Sequence, residues 1–202
     1  MGVKAWAIAL CAILVLAGCS RTWQVAYDEP IDGEVSSDWQ LAAVIVVVPD
    51  TLSVSENNRY APRADIVWWG EPAGDRRVQV ARILDEAVGD AASQLSGSQR
   101  VTVTATLERF HAVTPAAVAR APSAVHNIRF RLQVFDAQTS AHLTEPTTIE
   151  ADLEAYTGEA ATASAVRGED QRTRIVTHLT KVVSGWLGNG PDQRRTFESM
   201  GR

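Results

Sequence analysis

The chain has 202 residues, of which 46% are hydrophobic and 21% are charged, and its net charge at pH 7 is −5. This length and composition fit one globular domain with its own core and differ from those of a disordered chain. An acidic chain without a Lys/Arg-rich run lacks the basic surface that nucleic-acid binding needs, so nucleic acid is not expected as a partner.

The first 18 residues have the pattern of an export signal. Lys4 supplies a positive charge, and residues 5–17 form an apolar stretch of thirteen. This stretch is shorter than the ~20 residues that span a bilayer, but it suits the apolar region of a signal peptide. It ends in Leu16-Ala17-Gly18-Cys19, which resembles the bacterial lipobox. The resemblance implies that residues 1–18 are removed and that Cys19 becomes a lipid-modified N-terminus.

Lipidation of Cys19 would place the protein on a membrane. A diacylglycerol thioether with an added N-acyl chain, such as palmitate, anchors a protein stably, because each buried methylene contributes about 0.8 kcal/mol. Ser20, rather than Asp, follows the cysteine, and by resemblance to the sorting rule of enteric lipoproteins this favours the outer membrane over the inner. We therefore expect a lipid-anchored protein on the periplasmic face of a bacterial membrane. The alternatives are an ordinary signal peptide with an incidental cysteine and an uncleaved anchor helix.

The predicted elements begin after a linker. Residues 19–38 have no sustained apolar period and include Pro30 and Gly33, so they are predicted to form a flexible tether. Residues 39–48 are nearly continuous in apolar, mostly β-branched side chains, which predicts a strand covered on both faces. A long polar loop, 50–65, leads to a second short strand at residues 66–69.

Two helices are predicted from the spacing of apolar residues. Between Asp75 and Gly97, apolar side chains recur at three- and four-residue intervals, and Asp75 is suited to cap the first turn. A similar stripe covers residues 175–187 and stops at Gly188. The polar residues 191–202 are predicted to form a flexible tail.

Three strands are predicted between the helices, because residues 101–108, 128–134 and 149–155 alternate apolar and polar side chains. Such strands form an antiparallel meander with one face open to water, where arginines of the middle strand can pair with acids of the last. Those acids are Glu150, Asp152 and Glu154. The predicted order is β-β-α-β-β-β-α. It indicates a single α+β domain over residues 39–190, with a mainly antiparallel sheet and two amphipathic helices on one face.

No pattern of catalytic residues is present. The four histidines show no HExxH spacing and no i, i+4 pair, and the chain has no GxSxG, P-loop or CxxC motif. Outside the leader, which contains Cys11, the chain has Cys19 as its only cysteine, so disulfides and cysteine-ligated metals are not expected. His178 is predicted to be a partly buried structural residue. We expect no enzyme activity, no cofactor and no metal site.

Two loops are the best candidates for a contact surface. Loop 50–65 is longer than most loops in compact domains, which favours a functional role, and the Ala/Pro-rich segment 111–125 is a second candidate. Adjacent residues of a strand point in opposite directions, so one ring of the Trp68-Trp69 pair is expected in the core and the other outside. The candidate partner-binding residues are Glu56, Asn57, Arg59, Tyr60, Trp68 and Trp69.

Several motifs carry a family resemblance. Residues 64–72 (ADIVWWGEP), which lead into a helix, and residues 107–110 (LERF) are similar to small envelope lipoproteins that accompany ABC-type lipid transporters. Together with residues 125–130 (VHNIRF), they resemble more closely an uncharacterised family of bacterial lipoproteins with a domain of unknown function. The resemblance spans most of residues 39–187 and implies an accessory protein that docks on an envelope complex.

The sequence thus predicts a membrane-anchored, non-catalytic binding or accessory module with an envelope protein as its partner. A transport complex or an envelope-maintenance complex would be its setting. A purely structural envelope lipoprotein and a periplasmic hydrolase of unfamiliar type are the alternatives.

Overall fold

The computed structural model describes residues 22–199, so the predicted signal peptide, the lipobox and Cys19 lie outside the described residues. The elements in chain order are β1 (Thr22–Ala26), α1 (Gly33–Ser37), β2 (Trp39–Val47), β3 (Ile66–Val67), α2 (Arg76–Ala92), β4 (Gln99–His111), α3 (Pro115–Arg120), β5 (Ala124–Asp136), β6 (Thr147–Ala151), β7 (Leu153–Ala155), α4 (Gly158–Val166), α5 (Gln171–Trp186) and β8 (Arg195–Glu198). Within this range none of the helices combines the length and the apolar character that crossing a bilayer requires.

All eight strands belong to one sheet with the order β2-β4-β5-β6-β1-β8, to which β3 is added beside β4 and β7 beside β5. The predicted meander is confirmed, because β4, β5 and β6 pair antiparallel in succession. By contrast, β2 and β3 pair with β4 in parallel, one after the other along the same edge. The sheet is therefore mainly antiparallel, and the predicted α+β fold is confirmed.

The two predicted amphipathic helices, α2 and α5, contact each other and the sheet. Asp75 caps α2 as predicted, since its carboxylate accepts hydrogen bonds from the backbone N–H groups of Arg77 and Val78. Between the helices and the sheet lies one continuous core, to which each buried large apolar side chain contributes about 1.5–3 kcal/mol. The largest fully buried side chains include Trp68, Trp186, Phe110, Phe130, Ile83, Leu84, Leu107 and Ile175.

Most of the predicted tether is folded, so that prediction is wrong for residues 22–38. β1 pairs with β6 on one side and with β8 on the other. Val25 and Tyr27 are buried, and the Ile31 N–H donates to the Trp186 carbonyl at 2.8 Å. The prediction of a flexible C-terminal tail is also wrong for the residues that form β8. β1 is too short to show a period in sequence, and its pairing depends on strands far along the chain.

The last predicted strand is divided at Asp152. β6 pairs with the middle of β5, whereas β7 pairs with the start of β5. Asp152 is only 3% exposed, so its predicted place on the solvent face is wrong. Its carboxylate accepts hydrogen bonds from Asn127 Nδ2 at 2.6 Å and from the Gln24 N–H at 3.1 Å, while burial raises its pKa. Glu150 does lie on the open face, 3.7 Å from Arg129, as predicted.

Candidate binding surfaces

The two loops with predicted contact roles meet at one end of the sheet. The Thr114 hydroxyl donates to the Arg59 carbonyl at 2.7 Å, and the Ala116 N–H donates to Asn58 Oδ1 at 2.8 Å. His111 Nε2 lies 2.8 Å from the Pro62 carbonyl and must donate there, because a carbonyl oxygen only accepts. Loop 50–65 and segment 111–125 thereby enclose an open groove of about 690 Å³. We call it the loop groove.

The loop groove has polar and aromatic walls. Ser53 donates to the Asp65 carboxylate from its hydroxyl at 2.7 Å and from its N–H at 2.9 Å, and these bonds hold the pKa of Asp65 below its usual value. Because the Ser53 hydroxyl is bound to Asp65, it is not paired with a histidine base. Residues 22–199 also contain no group of three His, Cys, Asp or Glu side chains placed to hold a metal. Further wall residues are Trp23, Tyr60, Arg63, Arg109, His111 and Asn127.

The predicted contact residues of loop 50–65 have different surroundings. Tyr60 lines the loop groove and is 56% exposed. Glu56 instead forms a salt bridge with Arg76 at 3.0 Å. Asn57 closes a turn by donating its N–H to the Ser55 hydroxyl, and Arg59 supplies its carbonyl to the groove wall. Only Tyr60 and the backbone of Arg59 therefore take part in the groove.

The two tryptophans have different surroundings, as predicted, although β3 ends at Val67 and both rings follow it. Trp68 is fully buried, packs edge-on against Phe110 with ring centroids 5.6 Å apart, and donates from Nε1 to Glu71 at 3.1 Å. It is therefore a core residue, and its predicted role in partner binding is wrong. Trp69 is partly exposed, with the Arg76 guanidinium 5.8 Å from its ring centroid.

A second surface, which the sequence interpretation missed, is the outer edge of the sheet at β2. Among the strands of the described chain β2 pairs with β4 alone, and at its start Gln40 also forms an isolated bridge with Ser96. Val44 and Val46 pack towards the core, whereas Ile45 and Val47 are 49% and 45% exposed. The predicted strand exists, but its predicted coverage on both faces is wrong, because the helices cover one face only. An apolar edge strand with no charge or proline is free to accept another strand.

A smaller cleft of about 430 Å³ lies beside α5 and is lined in part by His178, which is partly buried. His126, which is fully buried, lies nearby. The Arg174 guanidinium stacks on the Tyr156 ring at 3.6 Å. Burial lowers the pKa of His178 to about 4 and that of the adjacent His126 to about 3. Both imidazoles are therefore neutral at pH 7, which fits the structural role predicted for His178.

These histidines make stability depend on pH. In the unfolded chain they gain a proton near pH 6.5, but in the folded chain they remain neutral until about pH 4 and pH 3. The contribution of these neutral histidines to the free energy of unfolding is therefore fully present above pH 6.5. It is lost as the pH falls towards the folded-state pKa values, because the unfolded chain takes up protons that the folded chain does not. Between pH 7 and pH 5 we expect the free energy of unfolding to decrease by about 2 kcal/mol per histidine. The raised pKa of Asp152 opposes part of this decrease.

Urea unfolding at pH 7 and pH 5 measures the effect. His178→Gln and His126→Gln should each remove about half of the decrease. His142→Gln is the matched control, because His142 is exposed, and it should leave the pH dependence as in the wild type. An unchanged pH dependence in both buried-histidine variants would contradict the assignment.

Comparison with solved structures gives weakly similar folds. A candidate lipoprotein from Caulobacter crescentus CB15 is 14% identical with a TM-score of 0.32, and the match covers 71% of this chain and 89% of that one. A PelC dodecamer subunit from Paraburkholderia phytofirmans is 7% identical with a TM-score of 0.39, covering 85% and 98%. A DUF330 protein from Xanthomonas campestris is 13% identical with a TM-score of 0.41, covering 79% and 89%.

Sequence comparison identifies the family. No curated protein sequence matches the chain. The profile of DUF6778, described as a family of unknown function, matches residues 39–202, which is most of the chain and includes the β2 edge and all of the loop groove except Trp23. The chain therefore belongs to the DUF6778 family.

Proposed function

We propose that this protein is an envelope lipoprotein, anchored through Cys19 on the periplasmic face of a bacterial membrane, the outer membrane rather than the inner. There it acts as a non-catalytic accessory module that binds a partner protein of a transport or envelope-maintenance complex. The observation that carries the binding role is the exposed apolar edge at β2. The lipobox sequence ending at Cys19 supports the anchor.

The arrangement of polar groups supports a non-catalytic role. In the loop groove, the Ser53 hydroxyl donates to Asp65 and His111 Nε2 is occupied by the Pro62 carbonyl. The two histidines near the smaller cleft are neutral at pH 7, and Nδ1 of the buried His126 accepts a hydrogen bond from the Val113 N–H at 3.4 Å. A nucleophile beside an oriented base is the arrangement that hydrolysis of acyl substrates requires. These hydrogen bonds do not form one.

The β2 edge supports a protein strand as the occupant. The nine residues of β2 contain no charged side chain and no proline, the two devices that commonly prevent an edge strand from pairing. An added strand would take up the free backbone N–H and C=O groups of β2 and place its side chains against Ile45 and Val47. Their register partners on β4 are Thr104 and Thr106, so the open face beside them is only weakly polar.

Site-specific crosslinking in the full-length protein tests this proposal. A photoreactive phenylalanine analogue at Ile45 should crosslink to a distinct envelope protein in living cells. The same group at Val78, an exposed valine on α2 (52% exposed), should not. Val47→Glu should lower the crosslinking yield from position 45 by about tenfold or more, because it buries an unpaired carboxylate in an apolar interface.

Val78→Glu is the matched control, because the residue type, the substitution and the exposure are nearly the same as at Val47. Both variants should keep wild-type stability within about 0.5 kcal/mol. A crosslinked product with twice the mass of the chain would show that a second copy of this protein, and not the proposed envelope partner, binds the β2 edge. Equal crosslinking from positions 45 and 78 would rule out β2 as the contact surface.

A further inference from the structure

The folded domain begins very close to the proposed lipid anchor. β1 starts at Thr22, three residues after Cys19 in the sequence. Three residues reach at most ~11 Å even when fully extended, whereas a folded unit of this size has a radius of gyration of about 16 Å and is several times wider than that reach. The Thr22 end of β1 must then lie close to the lipid headgroups. This step rests on the lipidation of Cys19 given under the proposed function.

The loop groove lies at the same end of the sheet as Thr22. Thr22 pairs with Glu198 of β8, and the next residue, Ser199, donates its hydroxyl to the Ala124 carbonyl at 3.2 Å. Ala124 begins β5 and lines the loop groove, as does Trp23 of β1. The opposite end of β5, at Asp136, is about 40 Å away, because a strand rises ~3.3 Å per residue.

The charges at this end fit an anionic surface. Arg63 and Arg109 line the loop groove and are exposed, and Arg120 is exposed in the last turn of α3. None of the three forms a salt bridge with an acid in residues 22–199, although six other arginines of that range do. The acids at this end are Asp65, which is held by Ser53 and lies near Arg109, buried Asp152, which is bonded to Asn127, and Glu154 and Glu198 on β7 and β8. Arg109 also donates to Asn127 Oδ1 at 3.1 Å.

The aromatic residues of the loop groove fit the same environment. Tyr60 is more than half exposed, and Trp23 is partly exposed on β1 beside it. Trp and Tyr side chains are stabilised at the level of the headgroups, where the ring contacts apolar groups and the polar atom stays hydrated. Arginines next to such rings are placed to bind lipid phosphates.

We infer that the loop-groove end of the domain rests on the bilayer that carries the anchor, with Trp23 and Tyr60 at headgroup level and Arg63, Arg109 and Arg120 contacting the phosphates of anionic lipids. The domain therefore has a fixed orientation on the membrane. The β2 edge runs along the side of the domain, between the membrane end and the Asp136 end, and stays accessible to a partner protein.

Quenching by headgroup-labelled lipid tests the orientation. The full-length protein is purified in its processed form and placed in vesicles with or without phosphatidylglycerol. Since no other free cysteine exists once Cys19 is acylated and the leader is removed, Ser123→Cys and Gln138→Cys each give one labelling site. Both positions are exposed, and they lie at opposite ends of β5. A nitroxide-headgroup lipid should quench a fluorophore at position 123 strongly and one at position 138 weakly.

The arginines are tested in the same assay. In phosphatidylglycerol vesicles, Arg63→Gln with Arg109→Gln should lower the ratio of protein whose loop-groove end touches the bilayer to protein whose loop-groove end does not. The expected decrease is about fivefold per arginine. Arg82→Gln with Arg100→Gln is the control, because these arginines are exposed, lack a salt bridge within residues 22–199 and lie outside the loop groove. The control pair should leave the quenching ratio unchanged.

The outcomes separate this inference from the proposed function. Protein without acyl mass that fails to float with vesicles would refute the anchor itself. Protein that is acylated and floats, but shows equal quenching at positions 123 and 138, would overturn only the fixed orientation. Strong quenching at position 123 that is unaffected by phosphatidylglycerol and by the arginine substitutions would overturn the role of lipid phosphates.

Discussion

Replacement of Cys19 by alanine is expected to move the protein from the membrane fraction to the soluble fraction. Without the thiol, no diacylglycerol can be attached, and each lost methylene contact removes about 0.8 kcal/mol of membrane affinity. The membrane-bound fraction should fall by well over tenfold, because the contacts of the domain alone do not replace two or three acyl chains. Intact-mass measurement should show acyl mass on the wild type and none on the variant.

Cys11→Ala provides the matched control for Cys19→Ala, because Cys11 is the other cysteine of the chain and lies in the apolar part of the leader. The Cys11 variant should be processed, acylated and membrane-bound like the wild type. If the wild type and both variants were soluble and carried no acyl mass, the lipobox interpretation would be wrong. The membrane contact of the loop groove would then be wrong as well.

Removal of the first folded segment is expected to have the largest effect on stability. A fragment of residues 39–190 lacks β1, α1 and β8, whereas a fragment of residues 22–199 keeps them. The shorter fragment loses the buried side chains of Val25, Tyr27 and partly buried Ile31, at about 1.5–3 kcal/mol for each fully buried large apolar side chain. A total loss of about 5 kcal/mol is comparable with the whole stability of many domains.

Urea unfolding followed by circular dichroism compares the two fragments. Residues 22–199 should unfold cooperatively, and residues 39–190 should be unfolded or aggregated under the same conditions, since the edge of β6 is also left without β1. A cooperative transition of the shorter fragment within about 1 kcal/mol of the longer one would show that β1 is dispensable. The family profile covers residues 39–202, so a fragment chosen from the family match alone would also lack β1 and α1.

The elements that could be predicted from sequence are those with enough residues to show a period. α2, α5 and the meander strands each contain several apolar residues on one face. Gly188 was also recognisable as a helix stop, and its φ of +74° is one that glycine readily adopts. An added Cβ there would lie 2.1 Å from the Ile31 carbonyl oxygen, so the same glycine also lets the first folded segment dock against the end of α5.

The elements that escaped prediction depend on distant partners. β1 and β8 have five and four residues, too few for a period, and each is held by strands from the other end of the chain. The parallel pairing of β2 with β4 could not be inferred from a run of β-branched residues, which fits an edge strand as well as a central one. The buried position of Asp152 depends on Asn127 and Gln24, neither of which is near it in sequence.

The loop groove was only partly predictable. The length of loop 50–65 and the composition of segment 111–125 identified both walls, but nothing in the sequence states that Arg59 and Asn58 would bind the start of α3. Trp23 was missed because it lies in a segment interpreted as a tether. Trp23, Val25 and Tyr27 recur at two-residue intervals, but three positions are too few to distinguish a strand from a linker.

For a chain exported as proposed, the pairing of β1 with β6 and β8 also sets the order in which the sheet is completed. The strand next to Cys19 leaves the translocation channel first, but its two partners, Thr147–Ala151 and Arg195–Glu198, leave last. Contacts so far apart in sequence form slowly, because a long loop must close before they are made. β1 would therefore stay unpaired while the rest of the chain emerges. In that interval the acylation and cleavage proposed at Cys19 would take place beside an unpaired strand rather than at the edge of a finished sheet.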